Sequence, residues 1–167
     1  GEVAERYRKI HLVPFGEFFP FRSILSPIAK MLDIGDFSRG EEFTLFKSIK
    51  NNAHPFSVLI CFEDTVNALA RSFSLAGSEL FINMTNDAWF GDTQASILHM
   101  QNSVFRAVEN RRQLVRAANT GVSCFIDHKG KIKQGVENKD RRATFIDGVS
   151  VGNVEFYTEK TFYTKYG

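Results

Sequence analysis

The sequence predicts an α/β domain with a central mixed β-sheet. Short apolar runs alternate along the chain with segments whose apolar residues recur every three or four positions, the pattern of buried strands and amphipathic helices. The predicted order is strand, helix, strand, helix, strand, strand, which favours a sheet flanked by helices. The length of 167 residues and the hydrophobic content of 43% suffice for one domain with a sizeable core.

The strands are predicted from apolar runs bounded by Pro, Gly and Asn. The strongest, 56–61, follows Pro55 and is almost wholly apolar, so we expect it to be buried on both faces. A short strand is expected to end near Val13, where Pro14 and Gly16 introduce a loop. The remaining strands are predicted at 43–46, 80–84, 114–118, 122–126 and 142–151.

Three helices are predicted from apolar periodicity and end signals. The first covers 23–32 and stops before Gly35. The second covers 63–76, carries its apolar residues on one stripe, and is stopped by Gly77. The third, 93–112, is the longest.

Composition excludes several classes of protein. A net charge of +2 without a clustered basic face does not suggest nucleic-acid binding, and the hydrophobic content argues against disorder. Cys61 and Cys124 do not form a disulfide scaffold; they either pair or are small buried hydrophobes. No Cys/His spacing suggests zinc, so we expect no metal. The sequence also has no apolar run of membrane-spanning length and no signal segment.

Cys61 is the first candidate for chemistry. It ends the buried strand and is followed at once by a predicted helix, a strand-to-helix elbow of the kind that exposes a side chain at the carboxyl edge of a sheet. The first helical N–H groups would favour a thiolate there. The alternative is a buried structural cysteine at a strand end.

Three charged residues are candidates for the same site. Lys9 is either a solvated surface charge or a group that stabilises a thiolate and a developing oxyanion. Glu17, in a Phe-rich loop, is either a turn residue or a partly desolvated acid near the site. Glu63 is either a first-turn helix acid or a group that orients Lys9 or another group of the site.

Other polar residues are given structural roles. The loop 86–91 forms either a pocket wall or an ordinary strand-to-helix connection. His11 and His99 are taken as structural. The arginines near the end of the long helix are predicted to form a salt-bridged helix end rather than an anion site: Arg111, Arg112 and Arg116.

Four segments, in order and covering nearly the whole chain, resemble the bacterial apolipoprotein N-acyltransferases. Residues 9–17 read Lys-Ile-His-Leu-Val-Pro-Phe-Gly-Glu, which is highly specific for that family. Residues 60–63 are similar to its nucleophile elbow, 86–91 to its next loop, and 106–121 to its long helix and following turn. The resemblance implies the nitrilase superfamily and an α-β-β-α sandwich, here an incomplete one.

The resemblance also implies roles for individual residues. The family's Glu-Lys-Cys triad would use Cys61 as nucleophile and Lys9 as oxyanion stabiliser, with Glu17 and Glu63 supporting the site. The triad glutamate acts as general base and lies upstream of the lysine segment. Neither Glu2 nor Glu5 stands in a matching context, so the base is expected to be absent from this chain.

The substrate pocket implied by the resemblance is apolar. Phe62 stands where relatives often carry Tyr, so a hydroxyl contact is lost there. Trp89, Phe18 and Phe19 complete the expected pocket.

The implied activity is transfer of a fatty acyl group from a phospholipid to the α-amino group of a lipoprotein's diacylglyceryl-cysteine, through a Cys61 thioester and without a cofactor. The implied setting is the bacterial inner membrane, with the catalytic domain facing the periplasm. Residues 1–167 would then be a partial domain, without its first portion and the flanking membrane helices, and inactive alone. The alternatives are a soluble amidase of the same superfamily and a catalytically incomplete binding domain.

The chain contains 17 Phe residues against 4 Tyr and 1 Trp, and Phe serves either a dry core or an apolar surface. Those on predicted strands and helix stripes are expected in the core: Phe56, Phe73, Phe81, Phe105 and Phe125. Those on loops are expected to form an apolar rim that touches the bilayer and admits an acyl chain: Phe15, Phe18, Phe19, Phe21, Phe37 and Phe90.

Overall fold

A six-stranded sheet organises the part of the chain that our computed structural model describes, residues 5–20, 37–47 and 54–167. The strands lie in the sheet in chain order. The second, third and fourth strands are parallel to one another, and the remaining three pair antiparallel with their neighbours in the sheet. Their bounds are β1 Phe46–Lys47, β2 Pro55–Ile60, β3 Leu80–Asn86, β4 Gln113–Asn119, β5 Cys124–Ile126 and β6 Ile132–Gly135.

Two helices make the crossovers that parallel pairing requires. Helix α1, Asn67–Ala76, connects β2 to β3, and helix α2, Ala95–Asn110, connects β3 to β4. Short 3-10 turns precede both helices, at Cys61–Thr65 and Ala88–Phe90. A third helix, α3, covers Phe162–Tyr166. None of the helices in the described part of the chain has the length and apolar composition needed to span a membrane.

The core lies between the sheet and the apolar stripes of α1 and α2. Phe73 on α1 and Phe81 on β3 are both completely buried. Phe73 makes edge-to-face contacts with Tyr7 and Phe43, and these contacts join the chain's first described segments to α1. The rest of the core cluster comprises Leu59, Leu69, Ala70, Met100, Ala107, Leu114, Val122, Cys124 and Ile126.

The end of the chain is tied to the amino edge of the parallel strands. Buried Arg112 donates to the carbonyls of Ser78 and Glu159, both at 2.6 Å. Thr161 caps α3 and also donates to the carbonyl of Glu109, near the end of α2. The extended segment before α3 is therefore held by hydrogen bonds rather than by strand pairing.

Several predicted bounds are corrected by the structure. The helix expected from 63 begins at Asn67, because 61–65 form a 3-10 turn instead. The helix expected to end at 112 ends at Asn110, since Arg111 adopts a left-handed conformation with φ of 50°. The predicted helix 23–32 lies outside the described residues.

The edge strands were the least well predicted. Residues 142–151 form no strand; an unpredicted strand, Ile132–Gly135, occupies that edge of the sheet. Its first three residues are exposed, so it lacks the apolar run by which a buried strand is recognised. No strand ends near Val13, where an isolated bridge joins Pro14 to Phe18.

The predicted phenylalanine groups are partly correct. Phe73 and Phe81 are buried, and Phe56 and Phe125 are half-buried, but Phe105 is 59% exposed on the outer face of α2. Of the loop group, Phe15 and Phe37 are exposed, whereas Phe18 and Phe90 are half-buried and Phe19 is only 6% exposed. Phe21 lies outside the described residues.

Candidate active site

The carboxylate of Glu63 is the central acceptor of the site. Its side chain is completely buried and receives hydrogen bonds from four different groups. The donors are the Tyr7 hydroxyl at 2.9 and 3.0 Å and the backbone N–H groups of Ile10 at 2.7 Å, His11 at 3.0 Å and Ile60 at 2.8 Å. A carboxylate can accept this number of bonds, so its burial is compensated. Burial and the charge of Glu63 together raise the pKa of Tyr7 well above its usual value.

Glu63 thereby joins two distant parts of the sequence. Ile10 directly follows Lys9, and Ile60 directly precedes Cys61. Because both backbone N–H groups donate to one carboxylate, the lysine segment is held against the end of β2. The structure thus brings together the two neighbourhoods in which the sequence places its candidate residues.

Cys61 lies at the turn out of β2 with an unusual backbone conformation. Its φ is 53°, in the left-handed region that residues with a side chain seldom adopt. Such a conformation costs on the order of 1–3 kcal/mol and persists where the surroundings enforce it. The thiol is free and half-buried. The predicted elbow is therefore present, although it opens into a 3-10 turn and not directly into α1.

Lys9 is fixed by Glu17. Its ammonium lies 2.7 Å from both oxygens of that carboxylate, and its side chain is only 9% exposed. Glu17 also accepts the backbone N–H of Val13 at 2.9 Å, which closes the loop between the two residues. The backbone of Lys9 is held as well, because Gly40 donates its N–H to the Lys9 carbonyl at 2.7 Å. This ion pair keeps a positive charge in one place close to the Glu63-bound segment.

The aromatic residues expected to line a pocket fall into two groups. Phe62 is 42% exposed and lies tilted over the ring of His99 at 5.4 Å between centroids, and Trp89 is 85% exposed in the turn after β3. Phe18 is half-buried, and Phe19 is buried with its ring edge-on to Phe15. Phe62 and Trp89 therefore present apolar surface to solvent, whereas Phe19 packs inside the loop.

A buried charged cluster lies behind the elbow. We call it the Asp64 cluster: Asp64, Asp87, His99, Ser103 and Arg116. The His99 ring lies 2.9 Å from Asp64 through Nε2 and 2.9 Å from Asp87 through Nδ1. Arg116 donates to Asp64 at 2.7 Å and to Asp87 at 3.0 Å. Every charged member is at least 96% buried, so the charges are compensated within the cluster.

The cluster determines the protonation of His99. Burial opposes the charged imidazolium, but the hydrogen bonds to Asp64 and Asp87 outweigh it and raise the pKa of His99 from 6.5 to about 9. Protonated His99 then donates through both ring nitrogens. Its Nδ1 also lies 3.0 Å from Arg116, a like-charge contact that the two carboxylates offset. Burial likewise opposes the charge of Asp87, yet His99 and Arg116 hold the pKa of its carboxyl below the usual value.

The sequence pattern does not predict this cluster. It predicts Arg116 together with Arg111 and Arg112 at a salt-bridged helix end, and that prediction is wrong. Arg111 is exposed, Arg112 donates to backbone carbonyls, and Arg116 lies on β4 facing the cluster. A signal was available, because an arginine at an inward position of a buried parallel strand requires a buried carboxylate partner.

The two cysteines are both free and do not pair. Cys124 is buried on β5, and burial raises the pKa of its thiol to about 11. Within residues 5–20, 37–47 and 54–167, no group of three or more His, Cys, Asp or Glu side chains is arranged to hold a metal ion.

Comparison with known proteins agrees with these features. The family model of the carbon-nitrogen hydrolases matches residues 1–157. The apolipoprotein N-acyltransferase of Geobacter metallireducens is 42% identical over the whole chain, and those of Treponema denticola and Thermotoga maritima are 36% and 33% identical over 98% and 100% of it. The chain spans 29–32% of the length of these three relatives.

Solved structures show the same fold. Saccharomyces cerevisiae Nit3, a member of branch 10 of the nitrilase superfamily, aligns with 81% of this chain and 45% of its own at a TM-score of 0.58 and 20% identity. A mutant of the Nesterenkonia AN1 amidase aligns with 81% of this chain and 47% of its own at a TM-score of 0.55 and 18% identity. The chain has the nitrilase-like α/β fold and belongs to the carbon-nitrogen hydrolase family.

Proposed function

We propose that this chain is the nucleophile-bearing part of an apolipoprotein N-acyltransferase. The observation that carries the proposal is the Glu63 carboxylate, which binds the backbone next to Lys9 and the backbone next to Cys61. An acyl transfer through a thiolate needs a nucleophile and a fixed positive charge in one place. The high similarity to curated enzymes of that name supports the same activity.

In the first half-reaction, the Cys61 thiolate attacks the carbonyl carbon of a phospholipid ester. The Lys9 ammonium stabilises the negative oxygen of the tetrahedral intermediate, and the Lys9–Glu17 pair holds that ammonium in position. The intermediate collapses with cleavage of the ester C–O bond. The leaving oxygen takes the proton that the general base accepted from the Cys61 thiol. The lysophospholipid then departs, and the acyl group remains on Cys61 as a thioester.

In the second half-reaction, the free α-amino group of a diacylglyceryl-cysteine attacks the thioester. The C–S bond breaks, the thiolate is regenerated, and an amide is formed. The amine must lose a proton, and we propose that a glutamate outside residues 1–167 accepts it. No organic cofactor takes part in either step.

The proposed acyl donor suits the exposed aromatic surface near the elbow. Phe62 and Trp89 present apolar area to solvent, whereas a small polar amide would need converging polar groups instead. We propose that this surface meets the acyl chain of a phospholipid at the periplasmic face of the inner membrane.

Intact-mass spectrometry of the full-length protein in phospholipid micelles tests the nucleophile. We expect a fatty-acyl adduct on the wild type and on Cys124→Ala, because Cys124 is buried away from the substrate. Cys61→Ala is expected to carry none. An adduct that survives in Cys61→Ala, or one that is lost in Cys124→Ala, would contradict the assignment.

The role of Lys9 is tested in the same assay. Lys9→Ala is expected to lower the acylation rate by roughly a hundredfold or more, the loss typical of a removed oxyanion donor. Glu41→Ala, a change at an exposed charged residue, serves as the control and is expected to retain activity. Wild-type turnover in folded Lys9→Ala would remove Lys9 from the mechanism.

A further inference from the structure

The backbone of the Cys61 elbow is held from inside by Asn83. This residue lies on β3, directly opposite Leu59 on β2 and Arg116 on β4 in the parallel ladder. Its side-chain Nδ2 donates to the carbonyls of Leu59 and Cys61, both at 3.1 Å. Asn83 is completely buried, so water does not compete for these bonds.

The orientation of the Asn83 amide is fixed by its neighbours. Arg116 donates to Oδ1 at 2.7 Å, and a guanidinium can only donate. Turning the amide over would place Oδ1 against two carbonyl oxygens and Nδ2 against the guanidinium. Arg116 is itself held by Asp64 and Asp87. The Asp64 cluster thus fixes the Asn83 amide in a single orientation, in which Nδ2 faces the elbow.

The bond to the Cys61 carbonyl constrains the strained residue directly. Cys61 has a positive φ, and its carbonyl belongs to the planar peptide unit that it shares with Phe62. Holding that oxygen therefore fixes the ψ angle of Cys61 and the direction of the Phe62 N–H together. Without the donor, the elbow is free to relax toward a common backbone conformation, which would redirect the thiol.

We propose that Asn83 is a positioning residue for Cys61: its amide, oriented by Arg116, holds the elbow in the conformation from which the thiol reacts. The inference rests on the proposed role of Cys61 as nucleophile. It assigns the buried charged cluster a purpose in the reaction, since the cluster orients the side chain that binds the elbow carbonyl.

The rate of alkylation of Cys61 by iodoacetamide tests the proposal in the full-length protein. Peptide-resolved mass spectrometry separates Cys61 from buried Cys124. Asn83→Asp keeps the shape of the side chain but places a carboxylate oxygen against the elbow carbonyl. We expect it to slow alkylation about tenfold or more at constant pH, and to lower kcat for acyl transfer with little change in KM for the phospholipid.

Asn110→Asp is the matched control. Asn110 is also a completely buried asparagine whose amide donates to a backbone carbonyl, that of Arg106, but it lies at the far end of α2. We expect its alkylation rate to stay within about twofold of the wild type, even if its melting temperature falls. Asn83→Ala, which adds no charge to the interior, gives the same readout if the carboxylate prevents folding.

The outcomes separate the two proposals. Slow alkylation in the folded Asn83 variants alone supports the positioning role. Wild-type alkylation in those variants, an equal loss in Asn110→Asp, or a change confined to KM overturns it. Acyl transfer that persists in Cys61→Ala overturns Cys61 as the nucleophile, and the positioning role with it. A folded wild type whose Cys61 is alkylated but which transfers no acyl group overturns the proposed function itself.

Discussion

At the scale of single residues, the buried carboxylate of Glu63 joins the Lys9 segment to the Cys61 elbow, a connection that neither sequence motif shows on its own. Glu63 receives backbone N–H groups from both sides of the site, so its position matters more than its charge at a helix start. The elbow pattern left Cys61 open between a reactive and a structural cysteine, and the family resemblance implied the roles of Cys61 and Lys9. The resemblance also implied that Glu63 supports the site, but not which groups it binds, because the partners of a buried carboxylate depend on which distant segments pack against it.

Glu63→Gln is expected to destabilise the protein although the two side chains have the same shape. Both oxygens accept bonds, so the amide NH2 must face a donor and leaves it unpaired, at a cost of about 1–3 kcal/mol for each such group. Thermal unfolding of the full-length protein measures the loss. Glu41→Gln, at an exposed position, is the control, and an equal melting temperature in Glu63→Gln would show that the carboxylate is not a required acceptor.

We expect the free energy of unfolding to fall at alkaline pH as His99 loses its proton. Its folded pKa of about 9 lies above its ordinary value of 6.5, so the stabilisation is fully present below about pH 6.5 and disappears as the pH rises through about 9. A shift of this size corresponds to stabilisation on the order of 3 kcal/mol. Melting temperatures measured across this range should fall steeply in the wild type and less in His99→Gln. If the melting temperatures of the two proteins fell in parallel with pH, the His99 imidazolium would not be the source of the pH dependence.

At the scale of elements, the parallel centre of the sheet was predictable and its edges were not. Strands β2 and β3 were predictable from their apolar runs. The expected burial of β2 on both faces is wrong, because only the alternate residues Ser57 and Leu59 are buried and the residues of the opposite face are half-buried. Strand β6 pairs through its backbone on one edge while its side chains remain in water, so its residues carry no such pattern. The 3-10 turn after β2 was also not predicted. The sequence places Glu63 in the first turn of a helix, but its carboxylate binds the backbone N–H groups of Ile10 and Ile60, which lie outside any helix.

A pair of phenylalanine substitutions tests how the helices dock. Phe73 on α1 is completely buried against Tyr7 and Phe43, whereas Phe105 on α2 is 59% exposed, although both were predicted as core residues. Phe73→Ala is expected to cost about 3–5 kcal/mol through the lost burial and the cavity left behind. Phe105→Ala should cost below about 1 kcal/mol. Equal losses in chemical or thermal unfolding would contradict the packing of α1 described above.

At the scale of the whole molecule, the parallel topology gathers the candidate residues at one edge of the sheet. The carboxyl ends of β2 and β3 lead into the turns that carry Cys61 and Trp89, and α2 returns beneath them with His99. The ring of Phe62, next to Cys61 in the turn after β2, contacts the ring of His99 on α2. This contact therefore joins residues that are distant in sequence. The site therefore depends on the order of the strands and crossover helices, which hydrophobic patterns predict. It also depends on buried polar pairs, which those patterns do not predict.

The exposed aromatic surface beside this edge provides a test that separates substrate binding from chemistry. We expect Trp89→Ala to raise KM for the phospholipid by about tenfold to a hundredfold, since a large apolar side chain contributes ~1.5–3 kcal/mol when a bound acyl chain covers it. Alkylation of Cys61 by iodoacetamide should be unchanged, because that reagent does not need the apolar surface. Trp89 is 85% exposed, and Phe162 on α3, an aromatic residue of similar exposure at 80%, provides a comparison.

Phe162→Ala is the matched control, because α3 packs near Asn110 at the opposite edge of the sheet. It should leave both KM and alkylation at wild-type values. An unchanged KM in Trp89→Ala would mean that the acyl chain lies elsewhere. A parallel loss of Cys61 alkylation would mean that Trp89 supports the elbow and not the substrate. The predicted pattern, with KM altered and thiol reactivity preserved, requires that the protein meet its acyl donor on the surface that Trp89 exposes.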